Sequence, residues 1–293
     1  MDIFALLRDC FPDLCLEQDF SFARHTTIGC GGRAAVCASP ASEEELAALL
    51  AWLAKRSIPY CFLGAGANVL PRDGDFDGVV VRFSRMNSLE EADGMIAAGA
   101  GVTGGALLRF AGAHRLGGLE FLTGIPTTVG GAVTMNAGVA SGHLGDIVER
   151  VVGVEKGKLR VFSRAECRFS EKTSVFQEGI AVAKAYLRTE PSDEEAIRAR
   201  MACFREKRKH LPKGRSMGCV FVNPEGRSAG AVIDSCGLKG LSVGGARVSE
   251  IHANFILNEG GTAEDISILI ATVKKRVFER TGILLREEVR RIP

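Results

Sequence analysis

The chain has 293 residues, 46% of them hydrophobic and 25% charged, with a formal net charge of +2. That length allows two or three packed units with the composition of an ordinary globular protein. A charge so near neutrality argues against nucleic acid or an anionic membrane surface as partner.

No apolar run approaches the roughly 18–20 residues of a membrane helix. The start MDIFALLRDCFPDLC lacks the basic beginning and long apolar core of a secretion signal. A cytoplasmic, non-membrane protein is expected. The nine cysteines are scattered without a C-x-x-C pair and read as reduced thiols, mostly small core residues. His25, His114, His143, His210 and His252 show no ligand spacing, so no metal site is expected.

In chain order, the opening segment is amphipathic and reads as a helix. Ser42 and Glu45 form a capping box ahead of LAALLAWLAKR, a helix ending near Ser57. PYCFLG reads as a short buried strand closed by glycines. Strand, helix and strand alternate through GVVVRF, MIAAGAG and GALLRFAGAHRL, pointing to an α/β or α+β architecture. From Gly118 to Gly138 glycines and small residues replace apolar periodicity, which should leave backbone amides exposed to a phosphate-bearing ligand. Strands follow, VERVVGVEKGKLRVFS folding back at Lys156-Gly157-Lys158 and then IAVAKAYLRT. Pro191-Ser192 marks a domain boundary, and Ser192 with Glu195 forms a second capping box opening a helix through about Arg208. Beyond CVFVNP and SAGAVIDSCGLKG come the strand ANFILN, a helix capped by Thr262 and the final strand ILLREEVRRI.

Gly99-Ala100-Gly101-Val102-Thr103-Gly104 matches the Rossmann fingerprint G-x-G-x-x-G, with Glu120 about 20 residues onward. Glu120 lies inside the glycine-rich tract, however, and ends no second strand, so packing is the preferred reading. Gly214-Arg215-Ser216-Met217-Gly218 matches the hydrolase elbow G-x-S-x-G in reversed context, with a basic segment before it and an apolar strand after it. A hydrolase is rejected. The basic stretch from Arg205 to Arg215 reads either as a solvated helix face or as an anion contact near a diphosphate. Gly64-Ala65-Gly66-Ala67-Asn68 follows a strand, and its amides can turn onto a pyrophosphate. Together with the second tract some 60 residues later, it suggests two loops clasping one extended dinucleotide.

These segments resemble the UDP-N-acetylenolpyruvoylglucosamine reductases (MurB). The resemblance runs through HTTIGCGGRA, LGAGANVL, DGDFDGVVV and GLEFLTGIPTTVGGAVTMNAG, then GCVFVNP, SAGAVID, GLKGLSVGGARVSEIHANFILN and LREEV. It covers about His25 to Val289 in the family's order, and resembles the shorter type without an extra inserted loop. It implies an α+β fold, with a two-part FAD-binding region of the vanillyl-alcohol-oxidase-like (PCMH-type) fold over residues 1–82 and 83–190. A C-terminal α+β substrate-binding domain over 191–293 would follow.

The resemblance further implies FAD as cofactor and NADPH as co-substrate, reducing UDP-N-acetylglucosamine enolpyruvate to UDP-N-acetylmuramate; a monomer or weak oligomer is expected. Cofactor contacts are expected at Thr26, at Gly64, Ala65, Gly66, Ala67, Asn68 and Val69, at Gly124, Ile125 and Pro126, and at Gly130, Gly131, Asn136, Ala137 and Gly138. Arg208, Asn223 and Arg247 are expected on the UDP-sugar.

Hydride addition to the enolpyruvyl double bond puts negative charge on C2 and its carboxylate, which calls for a cation, hydrogen-bond donors and an acid. The family places an arginine, a serine and a glutamate there, in motifs resembling FxYRxS, GSxFKNP and LxxEV. This chain has Lys172, Cys219 and Glu288 in those places, with Glu171 where tyrosine is common. Lysine keeps the charge but loses the planar fork of arginine. A thiol is a far stronger acid than a hydroxyl, so Cys219 is the expected proton donor, Lys172 the electrostatic stabiliser and Glu288 the supporting acid. Val222 replaces the usual lysine, and Arg247, where glutamine is usual, offers a compensating charge. These departures keep two alternatives open: a divergent flavoenzyme acting on another substrate, or a non-catalytic nucleotide-binding protein.

Overall fold

The computed structural model describes residues 2–293 as a mixture of helices and mainly antiparallel sheets, an α+β fold. The chain forms two compact units, each discontinuous in sequence. The first holds residues 1–18, 36–65 and 78–209; the second holds 19–35, 66–77 and 210–293.

In the first unit a five-stranded antiparallel sheet runs in the order Lys158–Ser163, Val148–Glu155, Ala181–Arg188, Met95–Gly99, Leu89–Ala92. The helix Glu43–Lys55 packs on it through Leu46, Leu49, Leu50 and Leu53, a stripe at helical spacing. Each leucine so buried contributes about 1.5–3 kcal/mol. Ser42 Oγ accepts the Glu45 N–H as expected, but the Glu45 carboxylate takes the Ala41 N–H, one residue short of a closed capping box. The hairpin turns at Lys156 and Gly157, with φ of +50° and +74°, as the sequence suggested. Gly157 is doubly constrained, since an added Cβ would stand 2.7 Å from the Ala51 Cβ. Tyr60–Leu63 and Phe76–Arg82 pair in parallel, and Val79, Val80 and Val81 are all buried, as in a strand covered on both faces.

The helix Glu194–Arg208 also belongs to this unit. Its N-cap is Asp193, whose Oδ1 accepts the Ala196 N–H at 2.8 Å, and not Ser192 as the sequence suggested. Ser192 instead accepts from Arg200 at 2.9 Å, so a tertiary partner took the hydroxyl and the next polar residue capped the helix.

In the second unit an antiparallel sheet orders Ser216–Cys219, Phe255–Asn258, Ala246–Val248, Ser242–Val243. The helix Ala263–Thr281 buries Ile266, Leu269, Ile270, Val273 and Val277 in the core of this unit. The expected Thr262 cap is present as a full capping box with Asp265. The expected final strand is much shorter than ILLREEVRRI: only Arg290–Ile292 is regular, pairing in parallel with Val69–Pro71. Upstream, Glu287 forms an isolated antiparallel bridge with Phe221.

Candidate active site

Gly64, which opens the first glycine tract, meets the second tract inside the first unit. A Cβ on Gly64 would stand 2.6 Å from Thr128 Oγ1 and 4.0 Å from the Gly131 Cα, so the first tract touches the second where the sequence reading paired them. Gly131 follows Thr128, which caps the short helix Val129–Thr134. Gly130 donates its N–H to the Ala100 carbonyl at 2.9 Å, seating that turn against the end of strand Met95–Gly99. Among the described residues, the N–H groups of Gly64, Ala65, Gly66 and Ala67 find no protein acceptor. Thr123 Oγ1, just before Gly124-Ile125-Pro126, is likewise buried without a partner. Backbone donors held open by a tight turn are the kind of group that receives a charged diphosphate, and an unpartnered buried hydroxyl is the kind that a ligand's polar edge satisfies.

Asn136, Ala137 and Gly138 run beneath Lys172. The Asn136 side chain, 6% exposed, donates to the Ser170 carbonyl and accepts the Gly145 N–H, both at 2.8 Å. It therefore braces the tract, while Ala137 N–H closes back on Ala132. Lys172 Nζ donates to the Gly138 carbonyl at 3.2 Å. Lys172 itself has a φ of +57°, and its carbonyl accepts from Gln177 Nε2 at 2.8 Å. Gln177 and Ser174 both donate to the Thr134 carbonyl, so the Lys172 loop is tied to the glycine-rich tract. Ser174 falls on the serine of the FxYRxS-like motif, but the sequence offered no sign of Gln177, since a long-range side-chain brace leaves no periodic pattern.

In the second unit, Thr26 Oγ1 donates to the Phe22 carbonyl at 2.9 Å. Thr27 carries the longer contacts: its N–H donates to the Gly66 carbonyl and its hydroxyl to the Ser216 carbonyl at 2.6 Å. Gly66 has a φ of +66°, and a Cβ there would stand 2.2 Å from the His25 carbonyl oxygen, so only glycine fits. Asn68 and Val69 continue toward the Glu288 segment. Asn68 Nδ2 donates to the Glu288 carbonyl at 3.1 Å and the Asn68 carbonyl accepts the Arg290 N–H, while Val69 pairs with Arg290.

Cys219 and Glu288 lie on neighbouring segments. The Glu288 N–H donates to the carbonyl of Val220, the residue after Cys219, and Val222 N–H donates to Arg286. Cys219 is partly exposed, pairs with Phe255, and follows a bulge at Gly218, whose φ is +74°. Buried Asn254 accepts the Phe221 N–H and donates to the Phe221 carbonyl, pinning the chain just beyond Cys219. Asn254 stood in the quoted HANF segment without a role. Glu287 forms ion pairs with Lys274 at 2.9 Å and Arg291 at 3.1 Å, and the expected strand alternation does not extend to Glu288, which lies outside regular structure. Burial opposes ionisation of Glu287, but Lys274 and Arg291 together hold its carboxyl below the ordinary 4.5.

Of the expected UDP-sugar contacts, Asn223 Oδ1 accepts the Ala229 N–H at 3.0 Å, leaving its amide to donate. Arg247 pairs with Glu259, and its Nε is buried without a partner. Val222 is a buried core residue. Arg208 lies in the first unit, its stem against Gly124. Glu120 is buried against Arg200, so no ribose-binding Rossmann carboxylate exists there.

Comparison with known proteins agrees with this anatomy. Residues 34–156 match the family model of an FAD-binding domain. A cholesterol oxidase from Brevibacterium sterolicum shares the fold over 61% of this chain and 38% of its own, at 16% identity and a TM-score of 0.50. The class is therefore a flavoprotein with the vanillyl-alcohol-oxidase-like FAD-binding fold.

Residues 209–292 match the UDP-N-acetylenolpyruvoylglucosamine reductase C-terminal domain. The reductase of that name from Geobacter metallireducens is 41% identical over 277 residues, covering 93% of this chain and 92% of its own. That from Methylorubrum populi is 39% identical over 98% of this chain and 95% of its own. The crystal structure of the Thermus caldophilus enzyme (MurB) matches with a TM-score of 0.83 at 35% identity, covering 96% of this chain and all of that one. The chain belongs to the UDP-N-acetylenolpyruvoylglucosamine reductase family. Among the described residues no helix is long and apolar enough to cross a membrane.

Proposed function

We propose that the protein reduces UDP-N-acetylglucosamine enolpyruvate to UDP-N-acetylmuramate with NADPH, using FAD, in the cytoplasm as a monomer or weak oligomer. The observation that carries this reading is the collinear match to reductases of that name along nearly the whole chain. The chemistry that FAD would supply when held there is two-electron hydride transfer between NADPH and the enolpyruvyl ether.

The open N–H groups of Gly64, Ala65, Gly66 and Ala67 hold the cofactor's diphosphate, with Thr26, Asn68 and Val69 shaping that turn. Gly124, Ile125, Pro126, Gly130, Gly131, Asn136, Ala137 and Gly138 give the close backbone approach on the other side. Lys172 stabilises the negative charge that develops at C2 and on the carboxylate; its anchorage to Gly138 supports that role by restricting a flexible side chain. The Cys219 thiol gives a proton to C2 and Glu288 supports that transfer. Asn223 donates to the substrate, Arg208 takes its diphosphate, and Arg247 supplies a second cation shared with Glu259.

The test is a visible spectrum of the purified protein. Flavin absorption that bleaches with NADPH and returns when the enolpyruvyl sugar is added is the expected result. Bleached flavin that ignores the sugar but reacts rapidly with oxygen would instead assign the chain to another substrate.

A further inference from the structure

Glu120 is 4% exposed, the only carboxylate so deeply withdrawn from water among the described residues. Its Oε1 accepts both Nε and Nη2 of Arg200, at 3.0 and 2.7 Å, and its Oε2 accepts the Gly118 N–H at 2.8 Å. Such burial is strongly disfavoured for an unpaired charge, so the carboxylate and this arginine are committed to each other. Arg200 sits on the helix Glu194–Arg208, eight residues before its end and thus about 12 Å along the axis.

At that end, the stem of Arg208 lies on Gly124: a Cβ there would stand 2.8 Å from Arg208 Cδ. Only Phe121, Leu122 and Thr123 separate Glu120 from Gly124, and all three are buried in a tight turn closed by Thr123 N–H on the Glu120 carbonyl. One short stretch of the cofactor tract therefore grips the helix at two points, which sets both its rotation and its axial register.

We propose that Glu120 and Arg200 are positioning residues for substrate capture, holding Arg208 at Gly124 in the place from which it binds the diphosphate of the sugar nucleotide. The proposal rests on the reading above that Arg208 takes that diphosphate. Glu120→Gln keeps the volume and the acceptor for Gly118 but removes the charge that orients Arg200.

The experiment uses FAD-loaded wild type, Glu120→Gln, Arg208→Ala and the double variant, each reduced with NADPH and mixed with the enolpyruvyl UDP-sugar in a stopped-flow instrument. Glu120→Gln should raise the sugar concentration for half-maximal flavin reoxidation about tenfold and leave the limiting rate within about twofold. The double variant should bind the sugar no more weakly than Arg208→Ala, because both changes remove one contact. Arg200→Lys gives the same readout should Glu120→Gln not fold, with a smaller shift expected. Multiplying effects in the double variant, or lost thermal stability with unchanged half-saturation, overturn the positioning role. An unchanged half-saturation in Arg208→Ala overturns instead the assignment of Arg208 on which the role depends, and wild-type flavin that the sugar cannot reoxidise overturns the reaction itself.

Discussion

The proposed chemistry turns most on Cys219, a thiol where the resemblance leads to the expectation of a hydroxyl. If it supplies the proton, Cys219→Ala should slow flavin reoxidation by the sugar about a hundredfold or more, while bleaching by NADPH is unaffected. Cys219→Ser, which puts back the family's residue, should keep a measurable part of the rate. Stopped-flow comparison of the two half-reactions checks both. The buried thiols are different: burial pushes Cys37 and Cys167 up to about 12, so they remain neutral core residues.

Glu287 offers a second test at this scale. Its folded-state carboxyl is held below 4.5 by Lys274 and Arg291 against the opposing effect of burial. A depressed folded value adds stability above the ordinary range and loses it as the pH falls through the folded value. The expected outcome is that Glu287→Gln is less stable than the wild type at pH 7 and that the gap narrows as the pH falls below about 4.5. Urea midpoints across that range measure it.

At the scale of the element, the helix Ala263–Thr281 is capped twice. Thr262 and Asp265 close a local capping box, readable from their spacing. Asp73, some 190 positions away, accepts the Ala263 and Glu264 N–H groups at 2.8 Å each. Two further amides are thereby satisfied and a negative charge sits at the positive end of the helix. Asp73→Ala should cost about 1–2 kcal/mol and Thr262→Ala about 1 kcal/mol, both measurable by denaturant unfolding. The same contrast recurs at the helix Glu194–Arg208. Its existence was legible, but its cap moved to Asp193 because Arg200 reached Ser192.

For the whole molecule, discontinuity is the governing fact. The core of the second unit contains Ile28, Cys30 and Leu70 beside residues from Met217 to Val289. A fragment starting at residue 209, where the C-terminal family domain begins, lacks those three side chains and the parallel partner of Arg290–Ile292. Burying them contributes several kcal/mol in all, on the order of the whole stability of a small domain. The fragment alone should therefore show no cooperative thermal transition by circular dichroism. Adding residues 19–35 and 66–77 through a designed linker should restore one.

What the amino-acid order determined by itself were features set by near neighbours. The leucine stripe of Glu43–Lys55, the Lys156-Gly157 turn, the Thr262 cap and the two glycine tracts all depend on residues a few positions apart, so spacing suffices to read them. The resemblance in those motifs then placed Lys172, Cys219 and Glu288. Tertiary structure alone decided which distant groups would meet: Glu120 with Arg200, Asp73 with the last helix, Asn68 with the Glu288 carbonyl, Asn254 with Phe221. Such hydrogen bonds and ion pairs gain strength from burial, and burial belongs to the folded arrangement of the chain, not to any stretch of it.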